Sequence, residues 1–162
     1  MKATLLVVDL QKAYHNGADA VSMDSACYFI NAALPAFHAK GLPVIWVRHV
    51  DEDDGAVEGQ PGFDLIDQLK PEPGEARIAK RYNNAFNKTE LGSILEKEGV
   101  DTVVISGYCA EWCILSTYRG CLDRDLTPVL LRGGVASGDA ANLAFVEKLS
   151  ALVSPSFLTK AL

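Results

Sequence analysis

The sequence predicts an α/β three-layer sandwich, in which a mainly parallel sheet of six strands is covered by helices on both faces. Short runs of β-branched and aliphatic residues alternate with longer helical patterns, the signature of βαβ units. The clearest runs are apolar at consecutive positions instead of alternate ones, so both faces of those strands need cover. A chain of 162 residues with 49% hydrophobic content encloses one substantial core but hardly two, and residues 1–162 are expected to form a single domain.

The first run, "ATLLVVDL", follows a Lys and so has the look of a secretory leader. Asp9 interrupts it early and no small-residue cleavage site follows, which makes it a strand. Residues 22–40 read as a helix that Pro35 should kink or divide. "PVIWVRH" is the second strand, and the stretch after it, "HVDEDDGAVEGQPGF", is a long loop rich in Gly and acid. Loops of that length are often part of a site. "RIAK" is a short third strand, followed by a helix over 88–98 with Asn87 as a cap. "DTVVIS" is the fourth strand and residues 111–124 the next helix. "TPVLL" is the fifth, residues 139–150 form a helix capped by Gly138 or Asp139, and "ALVSPSF" supplies the sixth strand.

The balance of charge excludes some partners. A net charge of −6, a pI near 5.0 and no Lys/Arg stripe interleaved with aromatics argue against nucleic acid. No apolar stretch approaches the ~20 residues that span a bilayer, so no membrane partner is expected. Cys27, Cys109, Cys113 and Cys121 are expected to be reduced thiols in a cytoplasmic protein, because a chain with this much core does not need disulfides. A dinucleotide site is disfavoured, since "DLQKAYHNG" stands where a G-x-G-x-x-G would follow the first strand.

In open α/β sheets, function gathers at the carboxyl ends of the strands. Asp9 closes the first run, Lys80 closes "RIAK", and Cys113 opens the helix after "DTVVIS". Right-handed crossovers bring neighbouring strand ends together, so these three are candidates for one crevice. Taken singly, each has a plainer role: a polar strand terminus, a solvated loop lysine, a small buried hydrophobe. Within "GYCAEWC", Cys109 and Cys113 are a redox pair, metal ligands, or one nucleophile with a bystander. Tyr14, His15 and Trp112 flank these positions and are candidate pocket residues.

The chain resembles the isochorismatase-like cysteine hydrolases in three motifs: "DLQ" with Asp9 and Gln11, "KRYNNAFNKTEL" with Lys80, Ala85, Phe86, Thr89 and Leu91, and "GYCAEWCILST" with Gly107, Cys113 and Thr117. The resemblance implies a strand order of 3-2-1-4-5-6 and a catalytic triad of Asp9, Lys80 and Cys113. It also implies a cis peptide between Tyr108 and Cys109, and an oxyanion site at the backbone N–H groups of Cys109 and Cys113. Independently of the family, a thiol at a helix start beside a cation is expected to ionise below its usual ~8.5, giving a nucleophilic thiolate. Asp9 would then carry protons to a leaving amine and from a water, with Gln11 bracing Asp9 or the first loop.

Departures from the family sharpen the reading. The nicotinamide-cleaving branch binds a metal through an Asp and two His after the second strand, whereas "RHVDEDDGAVEG" offers His49 and Asp51 without a further His. No metal and no cofactor are expected. Ala110 stands where the family usually has a small hydroxyl residue, and Gly133 where it usually has an acid. The isochorismate-cleaving branch lacks the cysteine, so Cys113 favours hydrolysis of a small amide, carbamoyl or ureido C–N bond. The partner is then a small-molecule substrate, and the resemblance implies a homo-oligomer, a dimer or larger. The alternatives are a catalytically idle binding module, or a thiol redox protein using Cys109 and Cys113.

Overall fold

The computed structural model describes residues 2–162. Six strands, β1 (Ala3–Val8), β2 (Val44–His49), β3 (Ala76–Lys80), β4 (Thr102–Tyr108), β5 (Thr127–Ala136) and β6 (Leu152–Val153), form one sheet in the order β3-β2-β1-β4-β5-β6. Every pairing is parallel. The helices are α1 (Gly17–Ala39), α2 (Leu91–Glu98), α3 (Leu115–Leu122), α4 (Ala140–Lys148) and α5 (Pro155–Ala161). Both the three-layer class and the strand order implied by the resemblance are observed.

Strand periodicity divides the interior into two cores. Successive side chains of a strand point to opposite faces, so Leu5 and Val7 of β1 join Val44 and Trp46 of β2 against Met23, Ile30 and Phe37 of α1 and Leu158 of α5. On the other face Leu6 and Val8 join Ile45, Val47 and Ile105, packed by Leu91 and Leu95 of α2, Cys121 of α3 and Val146 of α4. The consecutive apolar residues are thus two interleaved rows, each with its own helical cover. The strand order reverses at β1, whose crossovers lie on opposite faces, and a crevice opens there at the carboxyl ends of β1 and β4.

Several element boundaries differ from the expectation. α1 begins at Gly17 and runs unbroken past Pro35. Pro35 lies on the exposed face, as does Asn31, whose carbonyl loses the Pro35 N–H, so the lost bond falls on the solvent side of the helix and not in the core. α2 begins only at Leu91, with Glu90 and not Asn87 at its N-cap; Lys88 has φ 54, a left-handed conformation that cannot continue a helix. "ALVSPSF" divides into the two-residue β6 and α5, because Ser154 accepts the N–H of Phe157 and Pro155 takes the first helical position. Asp139 caps α4, accepting the N–H groups of Ala141 and Asn142. Among the described residues no helix is long and apolar enough to cross a membrane.

Candidate active site

Two backbone features build the crevice. Asp9 leaves β1 with φ 53, a left-handed turn that Asp tolerates better than most residues, while its N–H stays bonded to Val47 of β2 at 2.9 Å. Gly107, near the end of β4, has φ 119, and a Cβ there would lie 2.0 Å from the Val8 carbonyl oxygen. Only glycine lets β1 and β4 close up at this point. Beyond it the Tyr108–Cys109 peptide is cis, and the chain enters a π-helical turn, Ala110–Ile114, that carries Cys113 ahead of α3. The helix expected over 111–124 is therefore two pieces.

Lys80 is buried to 2% exposure, and its ammonium gathers the reactive groups. Nζ lies 2.7 Å from Asp9 Oδ2, donates to Cys113 Sγ at 3.2 Å and meets His49 Nδ1 at 2.7 Å. Burial and the Lys80 charge hold His49 below the usual imidazole range, so its neutral ring accepts that hydrogen bond. Asp9 is 2% exposed, and apart from this ion pair neither of its carboxylate oxygens has a hydrogen-bond partner among the described residues. A buried carboxylate left this open is a proton acceptor in want of a donor.

The expected thiolate does not follow from these surroundings. Burial pushes the Cys113 thiol up and the Asp9 charge pushes it further, while Lys80 pulls it down without overcoming both. Sγ also lies 3.7 Å from Asn83 Oδ1. Desolvation disfavours a buried anion, and two anions on one ammonium would repel.

The surrounding cavity holds about 250 Å³ and its lining includes Asp9, Tyr14, His49, Tyr108, Trp112 and Cys113. Tyr14 stacks on Tyr108 at 5.6 Å between ring centroids, and Trp112 is 61% exposed at the mouth. His15 is not in the lining; it turns to α1 and pairs with Asp24 at 2.7 Å. Cys109 lines the cavity, and its thiol donates to Glu111 at 3.0 Å, away from Cys113's partners. Glu111 also accepts from Ser137 and Asn142, fastening the turn to the end of β5 and to α4. Gln11 is fully buried and grips the His49 backbone from both sides, donating to its carbonyl at 2.9 Å and accepting its N–H at 2.6 Å. It braces β2, not Asp9 directly. Thr117 accepts the Ala85 N–H at 3.0 Å, which ties the loop after Lys80 to α3.

His49 and Asn83 at the centre, and Asp51 and Asp54 at the edge, also line the cavity. His49 ends β2 as Asp9 and Lys80 end their runs, a signal the strand-end reasoning offered; Asn83 has none beyond its nearness to Lys80. Asp9, His49 and Cys113 each place a metal-binding atom within 4.8 Å of the others. Their convergence does not fit a metal, however, because one ammonium already contacts all three, and its positive charge would repel a metal cation at that point.

The fold is that of the isochorismatase class of hydrolases. A model of the isochorismatase domain matches residues 3–153, and the chain belongs to the isochorismatase family. It is 32% identical over 138 residues to streptothricin hydrolase of Streptomyces noursei, covering 83% of this chain and 54% of that protein. It is 27% identical to ureidoacrylate amidohydrolase RutB of Methylobacterium radiotolerans, covering 93% of this chain and 75% of that one. Among solved structures, an isochorismatase-like hydrolase from Alkaliphilus metalliredigens superposes with a TM-score of 0.90 at 21% identity, covering 99% of both chains.

Proposed function

We propose that the protein is a cysteine hydrolase that cleaves a small amide, carbamoyl or ureido C–N bond through a thioester on Cys113, with Asp9 and Lys80 completing the triad. The observation that carries this reading is the single buried ammonium in contact with both a thiol and a carboxylate whose Oδ1 has no other partner among the described residues. Relatives named for the hydrolysis of ureido and streptothricin substrates support the bond type.

Substrate enters with its carbonyl carbon over Sγ. The thiol proton passes to Asp9 as sulfur attacks, and Lys80 stabilises the sulfur while it carries negative charge. Backbone N–H groups of Cys109 and Cys113 receive the oxyanion. When the tetrahedral adduct collapses, the C–N bond breaks and Asp9 returns the proton to the departing nitrogen. Asp9 then takes a proton from water, whose oxygen attacks the thioester; the C–S bond breaks, the acid product leaves and the thiol is restored.

Acid quench of the enzyme during turnover, followed by mass spectrometry, is expected to find an acyl group on the Cys113 peptide. Cys113→Ala is expected to lower turnover by at least ~10³-fold, in keeping with loss of covalent catalysis. Full turnover in that variant would refute the mechanism.

A further inference from the structure

The walls of the cavity carry charge of one sign. Its lining includes three aspartates, Asp9, Asp51 and Asp54, and no Lys or Arg. Asp9 is balanced beneath the floor by Lys80, and His49 is held neutral by burial and the Lys80 charge. Asp51 and Asp54 are not balanced: among the described residues no basic side chain lies within 4 Å of either carboxylate. The basic groups nearby are committed elsewhere, Arg81 to Glu52 and Lys12 to Asp67, each at 2.9 Å. One oxygen of Asp51 accepts the N–H groups of Asp53 and Asp54, which fixes the loop and leaves the other oxygen free. Burial leads in raising the Tyr14 phenol, and the charges of Asp9, Asp51 and Asp54 raise it further.

We infer that the substrate is cationic, with an ammonium or guanidinium group near the scissile carbonyl that lies between Asp51 and Asp54 and the aromatic faces of Tyr14 and Trp112. The inference deepens the hydrolase reading and rests on it. Two carboxylates against a low-dielectric wall attract a cation and repel an anion over several ångströms. Aromatic faces add cation–π attraction without adding charge. The second, independent observation is the buried Asp9 carboxylate, which lines the same cavity and, ion-paired to Lys80 through Oδ2, leaves Oδ1 with no partner among the described residues. It is placed to receive the N–H of the scissile group once the cationic end is seated. A substrate bearing a carboxylate at the same position would meet two like charges and no basic residue to offset them.

The test separates this inference from the hydrolase reading by probing the cavity with charge alone. Cys113 is modified with methanethiosulfonate reagents of similar size, one ending in trimethylammonium and one in sulfonate, and the modified peptide is counted by mass spectrometry. Relative to the same two reagents on free 2-mercaptoethanol, the cationic reagent is expected to gain about tenfold or more over the anionic one at low salt. That gain should shrink at 1 M salt and in the Asp51→Asn/Asp54→Asn double variant. A ratio equal to or below that of the free thiol overturns the inference, whatever the enzyme hydrolyses. In the second arm, kcat/KM is compared for 3-aminopropanamide, butanamide and succinamate. Preference for the first supports the proposal and preference for succinamate overturns it. Absence of turnover on all three counts against the hydrolase reading, while the modification ratio still decides the charge of the cavity.

Discussion

Asp9 and Cys113 have one mobile proton between them, and their surroundings decide which keeps it. Burial pushes the thiol up and the negative charge of Asp9 pushes it further. Replacing Asp9 by Asn removes that negative charge and leaves Lys80 Nζ 3.2 Å from Sγ, so the thiol titrates at lower pH than in the parent. Asp9→Asn is therefore expected to react faster with iodoacetamide at pH 8 while losing turnover by ~10²-fold or more, because nothing remains to protonate the leaving amine. Slower alkylation in that variant would show that Asp9 does not set the thiol's charge. Of the central groups, Asp9, Lys80 and Cys113 were legible in the sequence because each stands at a strand end or helix start. The thiol's protonation was not legible, since it depends on how deeply three distant residues are buried together. His15, beside Tyr14 in sequence, was misread because one residue's rotation in a tight turn sends it to Asp24 instead of the cavity.

The junction of β1 with β4 is the most tightly specified contact between elements. Any side chain at position 107 would overlap the Val8 backbone, with contacts of 2.0 Å to its oxygen and 2.6 Å to its nitrogen. Backbone cannot rotate aside as a side chain can, so Gly107→Ala is expected to cost more than ~3 kcal/mol. Thermal unfolding or soluble yield measures this, and a melting temperature within a few degrees of the parent would refute the close approach. Gly133 in β5 is a milder case, because a Cβ there would meet the Phe29 ring at 2.7 Å. Strand existence was legible because unbroken apolar runs mark strands covered twice, while the strand order followed from the family resemblance and not from the runs themselves. Helix starts were less so. α5 depends on two adjacent residues, Ser154 and Pro155, which inside an apolar run read as the end of a strand.

Across the whole molecule, all four cysteines are buried free thiols. Burial leads in raising Cys27, Cys109 and Cys121, each to about 12. In the unfolded chain a thiol ionises near ~8.5. Between those values the native state holds protons that the unfolded state has released, so stability falls as pH rises through the window. The slope is at most roughly 1.4 kcal/mol per pH unit for each thiol. The midpoint of urea unfolding under reducing conditions is expected to fall from pH 8 to pH 10, and less steeply in Cys27→Ala, which removes one of the four raised thiols. A midpoint independent of pH would contradict the linkage.

The sheet order also sets a schedule for synthesis. β1 lies between β2 and β4, and its register joins Ala3 to Thr102 and Val8 to Gly107. At ~5–20 residues per second on the ribosome, the wait from one partner to the other is on the order of 5–20 s. Throughout it, the edge of β1 that β4 will pair stays open, an apolar strand with nothing beside it. Asp9 and Lys80 meanwhile stand together without their thiol. A nascent chain that stalls before Tyr108 therefore presents a sticky edge and no nucleophile, making it a ready client for chaperones.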